Sequence, residues 1–239
     1  IPEASRQSRG TAVINLISIT PEDNITAVIP IRDFVNDNFL FFGTKLGMVK
    51  KTDLTEYAAI RNSGLIAIGL KEGDELMSVR LTDGKQDVML GTRNGLAIRF
   101  NEEDVRFMGR SARGVKGIDL AKDDIVVGMD ILREDSDVLV VTEKGYGKRT
   151  SFKEYRRQSR GGKGIQALKM SKRNGPVVAI RMVRHEDELM VITAQGVIIR
   201  MDVKGVSKIG RATQGVTIIK LDEGDAVVAV ARVAIKADE

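Results

Sequence analysis

Short apolar, β-branched runs recur along the chain. Each is closed by a turn ending in glycine and followed by a second run that ends on Lys or Arg. The runs begin at Phe39, Val88, Val138 and Leu189, and their turn glycines are Gly47, Gly95, Gly145 and Gly196, at spacings of 48, 50 and 51. Such turns demand positive φ, which glycine supplies, and Asn94-Gly95 is a strong two-residue hairpin signal. The pattern predicts four β-hairpins. No long amphipathic helix is predicted. Short helical turns are expected at Asp53–Tyr57, Asn101–Val105 and Ser151–Tyr155, each opening on a capping residue.

A second motif alternates with the hairpins. It reads Arg6-Gln-Ser-Arg9-Gly10, Arg61-Asn-Ser-Gly64, Arg110-Ser-Ala-Arg113-Gly114, Arg157-Gln-Ser-Arg160-Gly161 and Arg211-Ala-Thr-Gln214-Gly215. After it comes another strand pair with an acidic turn, clearest at Lys71–Glu75, Ala121–Asp124 and Asp222–Asp225. The unit is therefore hairpin, basic loop, hairpin, over about 50 residues. Four strands per unit of that length is the arithmetic of a propeller blade. The 239 residues make a single all-β domain of about five repeats. Its basic loops fall near 6–10, 61–64, 110–117, 157–164 and 211–215. With five such loops and four first hairpins, the chain is expected to begin in mid-repeat.

Charge follows the same repeat. The net charge is +5, yet the stretch from Tyr155 to His185 contains no acid and carries nine cations. In a ring of equivalent repeats the basic loops share one surface, as expected of a protein that tracks a phosphate backbone. The candidate contacts are the cations of the loops and hairpin ends: Arg6, Arg9, Lys50, Lys51, Arg61, Arg99, Arg106, Arg110, Arg113, Lys116, Lys148, Arg149, Arg156, Arg157, Arg160, Lys163, Arg200, Lys208 and Arg211. In Arg157–Gly164 three glycines would also let backbone amides approach a phosphate. It is not a nucleotide P-loop, because Gly-Gly-Lys is followed by Gly164 rather than Ser or Thr. Aromatic residues make up 4% with no Trp, so base stacking is secondary and duplex DNA is the expected target.

Composition removes other classes. There is no Cys, hence no disulfide and no thiolate chemistry, and a triad would rest on His185 alone. The acidic turns lack the spacing of a calcium loop, and no catalytic or metal-binding constellation is predicted. No apolar run reaches the roughly 18 residues of a membrane span, so a cytoplasmic setting is expected.

Several segments together resemble a known family. They are Ile1–Ser5, Asn62–Ala67, Val79–Gly84, Thr92–Arg99, Gly109–Gly117, Val141–Arg149, Ser159–Gly164 and Gln214–Val216. Spread over the whole chain, they are similar to the C-terminal domain of the gyrase A protein of DNA gyrase, a type IIA topoisomerase. The resemblance implies a β-pinwheel, a disc whose blades exchange strands. It implies duplex DNA wrapped in a positive sense around a basic rim, so that ATP-driven strand passage by the parent enzyme yields negative supercoils. Cleavage and ATP hydrolysis would belong to other domains. This chain would then be non-catalytic and monomeric, without a cofactor of its own, ATP and Mg being used elsewhere in the enzyme. Its partners would be duplex DNA, the rest of gyrase A, and gyrase B. The family's Gln-Arg-Arg-Gly-Gly-Lys-Gly box lies in a first blade that this chain is expected to lack; Arg157–Gly164 is similar to it in a later repeat. Two alternatives stand beside this reading: the equivalent domain of topoisomerase IV, which bends DNA, and a propeller scaffold binding acidic proteins.

Overall fold

The computed structural model describes residues 5, 7–20, 22–59 and 64–233. All four predicted hairpins form. They are β1 (Phe39–Thr44) with β2 (Met48–Asp53), then β4 (Asp87–Thr92) with β5 (Leu96–Asn101). The other two are β8 (Asp137–Thr142) with β9 (Tyr146–Ser151), and β12 (Glu188–Thr193) with β13 (Ile198–Asp202). Their turn glycines, Gly47, Gly95, Gly145 and Gly196, have φ of 81°, 79°, 76° and 84°, as the hairpin pattern requires.

Each hairpin takes a third strand from beyond the following turn, which is acidic except in the third blade: β3 (Leu76–Thr82), β7 (Val126–Ile131), β11 (Val177–Val183) and β15 (Val227–Val233). These four lie innermost and pack side by side around the axis. The expected second hairpin of the unit does not form, because the short strand before the turn pairs with the preceding blade. The two-residue strands β6 (Val115–Lys116), β10 (Ile165–Gln166) and β14 (Val216–Thr217) complete the sheets from outside. The orders are β3-β1-β2-β6, β10-β5-β4-β7 and β11-β8-β9-β14, all antiparallel. In every case the outermost strand comes from the following repeat, so the blades exchange strands in series. The fourth sheet, β13-β12-β15, has three strands.

Hydrophobic packing runs between blades rather than into one centre. Phe41 and Val49 of the first blade meet Leu90, Ile98 and Phe100 of the second in one cluster. Met89 and Ala97 meet Val138, Val140 and Ile180 in the next, and Leu139 and Val141 meet Leu189 and Val191 in the third. The expected helical turns are 3-10 turns at Leu54–Tyr57, Glu102–Asp104 and Phe152–Glu154. The side chains of Asp53, Asn101 and Ser151 cap them, each accepting from the amide two residues on. A fourth such turn, Val203–Gly205, is not among those expected although Asp202 stands at its N-cap; there the side chain makes no capping hydrogen bond.

The N-terminal repeat departs from the expected unit. Among its described residues it forms no strand; Ile29, Ile31 and Phe34 instead pack against Leu40, Phe42 and Val79 of the first blade. The disc is thus four sheets with a covering segment, rather than five equivalent blades.

Candidate nucleic-acid interface

The basic loops are the segments that carry the chain from one blade to the next. Each ends at a glycine that crosses over the preceding hairpin. Gly114, Gly164 and Gly215 have φ of 86°, 77° and 79°. A Cβ there would lie 2.4 Å from the Val49 carbonyl oxygen, 2.6 Å from that of Ala97 and 3.0 Å from that of Gly147. Two of the glycines expected to cradle phosphate are therefore used inside the fold. Gly164 makes this crossing, and the Gly161 amide donates to the Gly117 carbonyl at 2.7 Å.

The loops are also joined to one another. The amides of Gly69, Asp119 and Lys169 donate to the carbonyls of Ala112, Gly162 and Thr213, at 3.1, 2.9 and 2.9 Å. In three loops an arginine adds a side-chain link to the preceding repeat. Arg110 donates to the Glu56 carbonyl at 3.3 Å, and Arg160 to those of Asp104 at 2.9 Å and Lys116 at 3.2 Å. Arg211 donates to the carbonyl of Gln166. Successive loops thus form one connected band.

Four candidate contacts are corrected by their burial. Lys50, Lys51, Lys148 and Arg149 lie inside the fold, each 6% exposed or less. The Lys148 ammonium donates to the carbonyls of Gly210 and Arg211 and to both oxygens of Thr213. Lys50 donates to the carbonyls of Ala67 and Arg110. These two lysines clamp the loops from beneath. Burial brings each down to about 8; Arg110 adds to the effect at Lys50, while at Lys148 Glu154 opposes it and Arg211 adds to it. In the second blade the same position is Ile98, and the loop above it carries Gly162. A run ending in Lys or Arg looks the same in sequence whether its last cations point out or in.

A third position forms a recurring trio in the first three blades. In the second blade Asp87 binds Arg99 at 2.7 Å and Arg157 at 2.8 Å, while Arg99 also donates to the Tyr155 carbonyl. In the third blade Asp137 holds Arg149 at 3.3 Å and Lys208 at 2.8 Å. In the first blade the rings of Phe39 and Phe107 stack at 5.0 Å with the Lys51 ammonium over both. Aromatic stacking there replaces the ion pair. Arg99 accordingly has a structural partner set. Arg157 and Lys208 keep exposed side chains while neutralising a carboxylate. Arg200 pairs with Glu188 alone among the described residues. Lys116 pairs with Asp119 at 2.7 Å and, with Lys163 nearby, holds that carboxyl below its usual range.

Arg9, Arg106, Arg113, Arg156 and Lys163 are exposed and have no carboxylate partner among the described residues. Arg6 and Arg61 lie outside the described residues. The chain thus presents unpaired cations on the outside of a connected band, the arrangement that binds phosphate in series. Among the described residues no cluster of His, Asp and Glu could hold a metal ion, and no helix is long and apolar enough to cross a membrane.

Strand-exchanging blades joined by a basic band define a propeller-like disc. The chain matches the model of the DNA gyrase C-terminal domain, beta-propeller, over residues 1–32, 38–83, 86–133, 136–184 and 187–234. It belongs to that family. It is 55% identical over 239 residues to the gyrase A protein of Halalkalibacterium halodurans, and 48% identical over 242 residues to that of Staphylococcus aureus. All of this chain is covered in both comparisons, against 29% and 27% of the relatives' own lengths. Among solved structures, the C-terminal domain of DNA topoisomerase IV superposes with a TM-score of 0.88 at 31% identity, covering 94% of this chain and 70% of that one. A DNA gyrase A C-terminal domain superposes with 0.84 at 27% identity, covering 95% and 76%.

Proposed function

We propose that the chain is the duplex-binding disc of a gyrase: DNA follows the basic band, and the curvature imposed favours strand passage toward negative supercoils. The observation that carries this reading is the serial linkage of the loops, Gly69 to Ala112, Asp119 to Gly162 and Lys169 to Thr213. A band fixed in this way holds Arg113, Arg156 and Lys163 without internal ion pairs, ready for phosphate. Binding is then sequence-independent and steeply salt-dependent, with each phosphate contact contributing about 0.9 to the logarithmic salt slope. The chain itself supplies no chemistry. Cleavage, ATP hydrolysis and the contacts with gyrase B fall to the rest of the enzyme. The cytoplasm, where such an enzyme meets bacterial DNA, is the compartment this function requires.

The likeness to the topoisomerase IV domain favours a second reading, in which the disc bends DNA without a full chiral wrap. One experiment separates the two. Excess protein is bound to a nicked circular plasmid, the nick is ligated, and linking number is compared with a protein-free control. A positive shift that grows with protein supports wrapping. Binding without a shift supports bending. Loss of binding by no more than a small factor in an Arg113→Ala, Arg156→Ala, Lys163→Ala variant removes the band from either account.

A further inference from the structure

The turn before the innermost strand is acidic in three of the four blades and basic in one. Asp74, Asp124 and Asp225 occupy equivalent places. Each carboxylate accepts two backbone amides: Leu46 and Glu75, Asn94 and Ile125, Gln195 and Ala226. The third blade's turn is one residue longer: counted back from the innermost strand, Gly175 stands at that place, preceded by a fully buried Asn174 in the run Ser171-Lys-Arg-Asn174. An amide can donate where a carboxylate cannot. Asn174 accepts from the Ser171 amide at 2.8 Å and donates to the carbonyls of Lys169 at 2.9 Å and Gln214 at 3.1 Å. The change both removes a negative charge and ties the turn to the loop at 211–215.

The exchange gathers cations. Lys144 donates to the Lys172 carbonyl at 2.6 Å. The Arg173 guanidinium lies 5.1 Å from the centre of the Tyr146 ring and donates to its hydroxyl at 3.0 Å. That contact lowers the phenol's affinity for its proton and holds the guanidinium in one orientation. Lys144, Lys169, Lys172 and Arg173 are all exposed, and none is within ion-pair distance of a carboxylate among the described residues.

We propose that this turn is a second contact for the phosphate backbone of duplex DNA, at which the duplex steps off the band onto one face of the disc. The inference rests on the proposed DNA-binding function and adds a direction to it. Four equivalent turns with one reversed in sign break the symmetry of the disc. Duplex DNA, rather than an acidic protein, is favoured because Asn174 joins this turn directly to the band through Gln214, in addition to the Lys169–Thr213 link that has counterparts in the other blades. A path that leaves the rim at one blade acquires a pitch, and pitch is what gives a wrap its hand.

The test uses the 239-residue chain with Lys169→Ala, Lys172→Ala and Arg173→Ala, beside the Arg113, Arg156 and Lys163 variant of the band. The probe is a duplex of about 150 base pairs, a length near one persistence length of DNA. The turn variant should keep its melting temperature, lose about 2–3 from the salt slope and shorten the nuclease footprint at one end only. A wild-type slope and footprint for the turn variant, with binding lost in the band variant, overturns the inference and leaves the proposed function standing; the turn then serves an acidic protein surface. Wild-type binding by both variants overturns the function together with the inference.

Discussion

The second and fourth blades begin from nearly the same hairpin and end differently. In the second, β5 is covered by the donated strand β10, which pairs Ile165 with Ala97 and Gln166 with Leu96. Ile98 is fully buried, and the Arg99 side chain is 18% exposed between Asp87 and the Tyr155 carbonyl. In the fourth, no described strand covers β13. The equivalent Ile199 is half-buried beside Ile198, which is 58% exposed, and the Arg200 side chain is 66% exposed with Glu188 as its only partner among the described residues. Sequence put Arg99 and Arg200 in one class. The donated strand makes the first a structural cation and leaves the second at the surface.

The sharpest way to break this comparison is to put a side chain at the hairpin turn in a covered and an open blade. Gly145→Ala and Gly196→Ala both force Ala to φ near +80°, which costs about 1–2 kcal/mol. Only at Gly145 would the new Cβ also sit 2.5 Å from the Ile219 carbonyl oxygen, whereas nothing lies within 4 Å at Gly196. Urea unfolding should show a loss of about 3 kcal/mol or more for Gly145→Ala and about 1 for Gly196→Ala. Equal losses would mean that strand donation contributes nothing at the turn.

A smaller effect is expected at the arginines. Arg99→Ala takes one donor from the buried Asp87 carboxylate, which keeps Arg157 and Asn101, and the side-chain donor from the Tyr155 carbonyl, and should lose about 1–2 kcal/mol. Arg200→Ala removes a surface pair and should change stability by about 0.5 kcal/mol or less. The same pair read by DNA affinity sharpens the contrast: Arg200→Ala weakens binding if the open edge lies on the DNA path, and Arg99→Ala acts only through the fold.

A third contrast is with pH. Lys148 falls to about 8 in the folded chain from an ordinary 10.5, so between those values the unfolded chain binds more protons. Stability therefore rises with pH across that window, and the gain is lost as pH falls back to about 8. The fourth blade has Ile199 at that place and contributes no such effect. Unfolding free energies followed from pH 7 to 10 should rise in the native chain and flatten in a Lys50→Met, Lys148→Met variant. A parallel rise in both would assign it to other groups.

Much of this architecture was legible in the chain. Glycine at a fixed interval, preceded and followed by β-branched runs, specifies hairpins because turn geometry is local. Asp53, Asn101 and Ser151 announced their 3-10 turns because capping is local too. The loops were recognisable, but their glycines were given to phosphate when Gly164 belongs to a crossing with Ala97, a residue 67 positions earlier. Likewise Lys148 meets carbonyls more than 60 positions away, which no local pattern reports.

The sequence by itself therefore determined the repeat, the hairpins and the placing of charge in the connecting loops, since each depends on residues within a few positions of one another. The tertiary structure alone decided which cations are free. Strand donation lays every loop over the preceding blade, and burial beneath it turns Lys50, Lys148 and Arg149 into internal clamps. Arg113, Arg156 and Lys163, on the outside of the same loops, remain in water with their charge unpaired.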